Sequence, residues 1–333
     1  MRLAIVGMGM VSPAGMTPRD HVFFIRAGVV PPTPSPFVAA SGEPIEVRYC
    51  PWIGARASVE SRLARMTQIA IFEAMSGWEA SDPKIAVLLC MARPRPGLQT
   101  EHAAISSAVA KQAHATDVVQ CWGDAGAFAA LRKAEELLSD RNGPLGVLIV
   151  AADTLISTEA IAQRVLHPPS PWNEPARPAS EAAAAVLVTS SAGVTRTRPV
   201  GFVHGAAIAA GTSNDDNDDV VDGTAMTTAV HSIPGVAGIA RALGQERLDA
   251  LRWREWNIAA ARLASRFTSD VSFETLEREV GRLGAASGLM SLAYGFAVAQ
   301  HAAIPIAARE APFLAWAISP DGTRGVALAQ GAA

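Results

Sequence analysis

The stretch LGAASGLMSLAYGFAVA, residues 283–299, contains no charged side chain. It is short for the roughly 30 Å of hydrocarbon that a membrane helix must cross, and it is rich in glycine, serine and alanine. A helix that is apolar all round needs cover all round, so this one is expected inside the protein. Residues 124–139 repeat the theme: Phe128, Leu131, Leu137 and Leu138 follow helical spacing, while Ala125, Gly126, Ala129 and Ala130 keep the first turns thin enough for close helix contact.

Around these two helices, strand-like apolar runs alternate with helical periodicity. In the first half, strands are expected at 3–11, 84–91, 117–121, 146–151 and 183–189, and helices near 58–77, 98–112 and 124–139. The second half opens with an apolar strand at 199–210. An acidic loop, a helix over about 227–243, a Trp-rich segment and the buried helix from 284 follow, and strands near 312–318 and 325–329 close the chain. Such alternation predicts an α/β architecture with a mostly parallel sheet covered on both faces. Each half begins with a long strand and contains one Gly/Ala-rich helix, as an internal duplication would, with the halves at 1–192 and 193–333. The proline-rich stretch 168–178 is expected to be a connection, because proline donates no ladder hydrogen bond.

Composition removes several functions. The formal net charge is -3 with only 18% charged residues and no basic run, which argues against a nucleic-acid partner. Cys50, Cys90 and Cys121 show neither metal-type spacing nor a disulfide framework, so a reducing, cytoplasmic setting is expected. Residues 2–11 place one Arg before an apolar run, as a signal peptide does, but the run is short, contains Gly7 and Gly9, and reads as a buried strand. The acidic NDDNDD at 214–219 lacks the glycine and glutamate of an EF-hand and reads as a solvated loop. Gly7 and Gly9 with Gly15 do not make a dinucleotide fingerprint, since the third glycine is misplaced. Neither cofactor nor metal is expected, and no membrane.

Five segments carry a family resemblance: IVGMGMVSPAG at 5–15, VLIVAADTLIS at 147–157, PWNEPARPASEAAAAVLV at 171–188, LGAASG at 283–288 and SPDGTRGVALA at 319–329. In this order they resemble the thiolase and β-ketoacyl synthase superfamily across essentially the whole chain. The resemblance implies a thiolase-like fold, two similar halves in an αβαβα layered sandwich. It also implies a thiolate nucleophile at a strand-to-helix turn, assisted by two histidines. Matching the turn CWGDAGAFAAL at 121–131 to that family puts Asp124 where the cysteine belongs, and a carboxylate is a poor acceptor of an acyl group from a thioester. Asp124 reads instead as a helix N-cap.

The histidine before LGAASG is replaced as well: Val280, Gly281 and Arg282 stand there, with Gly281 at the vestigial position. The second histidine would fall around 244–250, which reads GQERLDA. Cys121 and His231 are the remaining candidates for a displaced active site, although a cysteine at the end of a central strand is more often a small buried residue and His231, at helical spacing, reads more readily as a partly exposed or capped residue. Ser180-Glu181-Ala182-Ala183 stands for the family's Gly-Glu-Gly-Ala strand.

The segment Trp253, Arg254, Glu255, Trp256 reads either as core or as an anchor for a partner. It resembles a segment of synthase-like proteins encoded beside type VI secretion effectors. The expected function is therefore a catalytically inactive binding, adaptor or chaperone-like subunit. Its protein partner is a second copy, a different chain, or a secreted effector. The alternatives are an acyl-thioester enzyme with a displaced site and a pseudo-synthase paired with an active synthase.

Overall fold

A computed structural model of the chain describes residues 1–30, 37–39, 41–54, 57–78, 85–93, 99–115, 117–157, 161, 178–191, 198–211, 222–235, 237–245, 250–301 and 309–332. The proline-rich stretch 168–177 and the acidic stretch 214–219 lie outside the described residues.

The strands are β1 (Leu3–Val11), β2 (Val47–Arg48), β3 (Ile85–Met91), β4 (Val118–Trp122), β5 (Gly146–Thr154), β6 (Ala179–Ser190), β7 (Gly201–Ala210), β8 (Ile239–Gly244), β9 (Phe267–Glu274), β10 (Phe313–Ile318) and β11 (Thr323–Gly331). The helices are α1 (Pro18–Ala27), α2 (Val59–Ala74), α3 (Gln99–Gln112), α4 (Gly126–Ser139), α5 (Thr224–His231), α6 (Ala250–Arg262) and α7 (Ser287–Gln300), with a single helical turn at Glu277–Val280. Ten strands run in the order β4-β3-β5-β6-β1-β7-β11-β10-β8-β9, and β2 pairs with β6.

That order is the same five-strand pattern twice. Strand β3 is parallel to β4 and β5, while β6 is antiparallel to β5 and β1. In the second half β8 is parallel to β9 and β10, while β11 is antiparallel to β10 and β7. The two patterns meet where β1 pairs with β7 through Leu3, Ala4 and Ile5. Each half of the sheet is thus mixed. A five-stranded mixed sheet on either side of the two central helices is what two similar halves lead one to expect, whereas the alternation alone suggests a mostly parallel sheet and misses that β6 and β11 each return against their neighbours.

Burial assigns the layers. Along β10, Phe313, Ala315 and Ala317 face the central helices α4 and α7, while Leu314, Trp316 and Ile318 face α5 and α6. In the first half Ala182, Ala184 and Val186 of β6 face the same central helices, and Ala183, Ala185 and Leu187 face α2 and α3. Strands buried on both faces read as continuous apolar runs, which explains FLAWAI and AAAAVLV. Helix α7 is buried from Ser287 to Ala299, as its uncharged sequence requires. Phe128 of α4 fits because Gly288 of α7 and Gly325 of β11 leave room: a Cβ on Gly288 would come within 2.9 Å of the ring's Cε2. Among the described residues no helix is long and apolar enough to cross a membrane.

Two expectations need correction. The helix over 227–243 ends at His231, and after the Pro234–Gly235 turn the chain becomes β8. Proline's missing N–H and fixed φ stop the helix, while Ile239 and Leu243 find places between β9 and β10. Helix α1 was not expected, yet its capping box is written in the sequence: Asp20 N donates to Thr17 Oγ1 and Thr17 N to Asp20 Oδ2, each at 3.1 Å, with Pro18 opening the helix.

Helix α1 is locked to the turn that follows β1 by His21, which is fully buried: Nδ1 bonds Thr17 O at 2.7 Å and Nε2 meets Ser12 Oγ at 2.8 Å. Burial lowers its pKa from 6.5 to about 4, outweighing the Thr17 carbonyl and the Asp20 charge, so the folded protein holds it neutral. A lowered histidine pKa contributes stability above the unfolded value that is lost as pH falls. The expected loss between pH 6.5 and about 4 is on the order of 3 kcal/mol. Burial raises Glu73 from 4.5 to about 7, which works in the opposite sense over the same range. Subtracting urea stabilities of His21→Gln from those of the parent protein isolates the histidine: the difference should shrink as pH falls through this window, and a difference flat with pH would show that His21 is not held neutral.

Candidate functional site

Strand β4 ends at Trp122, and Gly123, at φ +80°, turns the chain into α4. The turn is tied to its neighbour by Gly123 N, which donates to Met91 O at 2.8 Å. Asp124 follows and is 8% exposed. On the other side of the central layer β8 ends at Gly244, and Gln245, 2% exposed, continues it. Gln245 Nε2 donates to Asp124 Oδ2 at 2.7 Å, and its Oε1 accepts from Ile318 N at 2.8 Å. One residue on, Ser319 Oγ accepts the N–H of Ala125 at 2.8 Å. A carboxylate and a helix start from the first half are thus held by an amide and a hydroxyl from the second.

This arrangement corrects the cap assignment. Ala125 occupies the N-cap position of α4, and no side-chain cap bond is made from there. The short turn Ser319–Gly322 carries the hydroxyl to the helix start, and the Asp124 carboxylate meets the Gln245 amide. Gln245 lies in the 244–250 interval where the resemblance expects a histidine, and Asp124 at the position where it expects the cysteine. An amide does not titrate, so Gln245 cannot accept the proton an imidazole would.

Gly281 has φ +84° and ψ 179°, a conformation essentially confined to glycine. A Cβ there would lie 2.7 Å from Pro178 O and 2.9 Å from Ser180 Cβ, so no imidazole fits without moving backbone. The loop is pinned by Arg282 N donating to Pro178 O at 2.9 Å, by Leu283 N and Ser287 Oγ donating to Glu277 Oε1 at 3.2 and 2.6 Å, and by Ala285 N donating to Asp153 Oδ2 at 2.9 Å.

The other candidates lie apart. Cys121 on β4 is half-buried and packs against the central core. His231 is exposed at the end of α5, whose buried residues belong to the outer core of the second half, so the two are not brought together in one core layer. Trp256 is 2% exposed and stacks on Trp316 with centroids 4.4 Å apart, so it is core and not a partner anchor. Arg254 is exposed, and the Trp253 side chain lies outside the described residues. Glu181 serves the fold: it pairs with Arg62 Nη1 at 2.6 Å and accepts from Cys50 N at 2.8 Å. Burial raises its pKa while Arg62 and the Cys50 N–H lower it. Among the described residues no group of three His, Cys, Asp or Glu side chains is placed to hold a metal.

No protein-family model matches the chain, and no curated protein matches its sequence. Solved structures match over the whole length. The ishigamide ketosynthase/chain length factor shares 19% identity at a TM-score of 0.74, covering 100% of both chains. The AntDE:AntF structure, a type II PKS acyl-carrier protein in complex with its ketosynthase bound to the hexaketide, shares 13% at 0.78, covering 99% of each chain. The ketosynthase from module 6 of the bacillaene synthase from Bacillus subtilis 168 shares 11% at 0.75, with 100% of this chain and 72% of that one covered. At identities this low the TM-scores show the fold alone: the chain has the layered α/β fold of ketosynthases.

Asp124→Ala leaves the buried Gln245 amide without that acceptor and should cost about 1–3 kcal/mol, whereas Asp124→Asn keeps an oxygen and should cost less. Gly281→Ala should cost about 1–3 kcal/mol from backbone strain, and Gly281→His more. Urea midpoints read all four; a Gly281→His protein as stable as its parent would contradict the geometry described for that loop.

Proposed function

We propose that this chain is a ketosynthase-fold protein without condensing activity that works as a binding or adaptor subunit for another protein. The observation that carries the reading is the Asp124–Gln245 hydrogen bond, made at the positions where a thiolate and a histidine are expected. Carboxylate attack on a thioester gives a mixed anhydride less stable than the thioester, and no imidazole stands at Gly281 to stabilise the developing charge. Losing a nucleophile alone costs about a million-fold in well-studied hydrolases.

Protein partnership is supported by the company the fold keeps. One matched structure pairs a ketosynthase with an acyl-carrier protein, and another is described as a ketosynthase/chain length factor. The second of these favours a narrower form of the reading, a pseudo-synthase that associates with an active synthase. A secreted effector is the other partner class; with Trp256 in the core, exposed Arg254 is the described residue of the Trp-rich segment that a partner can reach.

Incubation with an acyl-CoA or an acylated carrier protein, followed by intact-mass measurement, should show no covalent adduct. A stoichiometric acyl group on Cys121 would restore the enzyme reading. Tagged chain purified from its native host should carry one partner in fixed ratio, and recovery of this chain alone would oppose the heteromeric forms of the proposal.

A further inference from the structure

Cys90 and Cys121 are register partners in the parallel ladder of β3 and β4. Aligned residues on neighbouring strands stand about 4.8 Å apart, within the roughly 4.4–6.8 Å between Cα atoms that a disulfide spans. Both side chains face the same way: Cys90 lies in the central core and Cys121 packs against it, close to the first turn of α4, where a Cβ on Gly126 would be 3.7 Å from Cys121 Cβ. The pair is unequal. Cys90 is fully buried, whereas Cys121 is half-buried on the strand that ends the sheet. The neighbouring Cys90 thiol lowers the pKa of Cys121 against the effect of burial, and the same proximity together with burial raises that of Cys90. The more accessible sulfur is therefore also the better nucleophile. Cys50 differs: it is buried on the other side of the sheet, and burial together with the Glu181 charge raises its pKa well above the ordinary value.

We propose that Cys90 and Cys121 form a reversible redox site, closing to an intramolecular disulfide by exchange with a low-molecular-weight disulfide such as oxidised glutathione. The Cys121 thiolate attacks one glutathione sulfur, forming a mixed disulfide and releasing a glutathione thiolate. The Cys90 thiol then gives up its proton and attacks Cys121 Sγ, releasing the second glutathione. The two protein thiols lose two electrons and two protons, and one glutathione disulfide becomes two glutathione thiols. Because Cys121 is only half-buried, the bond would be open to attack by thiols and so of the labile, regulatory kind. Such a bond would tie the end strand covalently to β3, three residues before Asp124. This inference stands apart from the proposed function, since its test reads thiols and not acyl transfer or partner binding.

The folded protein is treated with oxidised glutathione, quenched with acid, denatured, alkylated with iodoacetamide and weighed. The parent chain should show one alkylated thiol, Cys50, a loss of two hydrogen masses, and a digest fragment joining the Cys90 and Cys121 peptides; dithiothreitol should restore three alkylated thiols. Cys90→Ser should stop at a single glutathione adduct on Cys121, and Cys121→Ser should take up none. Three alkylated thiols in the treated parent, or a glutathione adduct that persists on it, would overturn the proposal. If a variant fails to fold, the linked fragment from the parent chain decides by its presence or absence.

Discussion

The mutual burial of α4 and α7 between the two halves of the sheet sets the spacing of all five layers. Helix α7 carries no charge along its buried length, and α4 turns Gly126, Ala127, Phe128, Ala130, Leu131 and Ala134 inward while Arg132 and Lys133 stay exposed, so the apolar side of each is covered by strands and by the other helix. The Phe128 ring occupies space that Gly288 and Gly325 leave open, so a strand of the second half and both central helices share one close contact. Outer helices and strands add to this core with alternating faces, which is why strands as alanine-rich as β6 remain buried throughout.

With that framework fixed, the starts of α4 and the ends of β8 and β10 arrive at one place whatever residues they carry. In a condensing enzyme such a convergence is where nucleophile, helix dipole and proton acceptor meet. In this chain the same convergence carries Asp124, Gln245 and Ser319, whose bonds run from one half to the other with partners on both ends of the Gln245 amide. Buried polar groups that satisfy one another specify a unique arrangement. On the proposed reading, the position keeps its structural task and fixed hydrogen bonds stand where a condensing enzyme has its reactive groups.

Much of the fold was legible in the sequence because its signals are local. The uncharged run at 283–299 identified α7, and the apolar runs located β1, β3, β5, β10 and β11 within a few residues. Strand β8 was hidden because GIARALG has helix-forming residues and owes its conformation to pairing with β9 and β10, which no local pattern reports. Strand β9, FTSDVSFE, lies at the end of the sheet, where polar residues dilute the alternation. Helix α1 could have been found from Thr17, Pro18 and Asp20. At the site, Asp124 was visible from its alignment, but its partner was not: Gln245 lies 121 positions away, and a lone glutamine announces no chemistry.

The central claim is that Asp124 and Gln245 act as a pair joining the two halves. A double-mutant cycle of Asp124→Ala, Gln245→Ala and the double variant, read by urea denaturation, tests it most directly. The account predicts a coupling energy of about 0.5–3 kcal/mol, the range for residues in one hydrogen-bond network, and effects that add to within about 0.3–0.5 kcal/mol would contradict it.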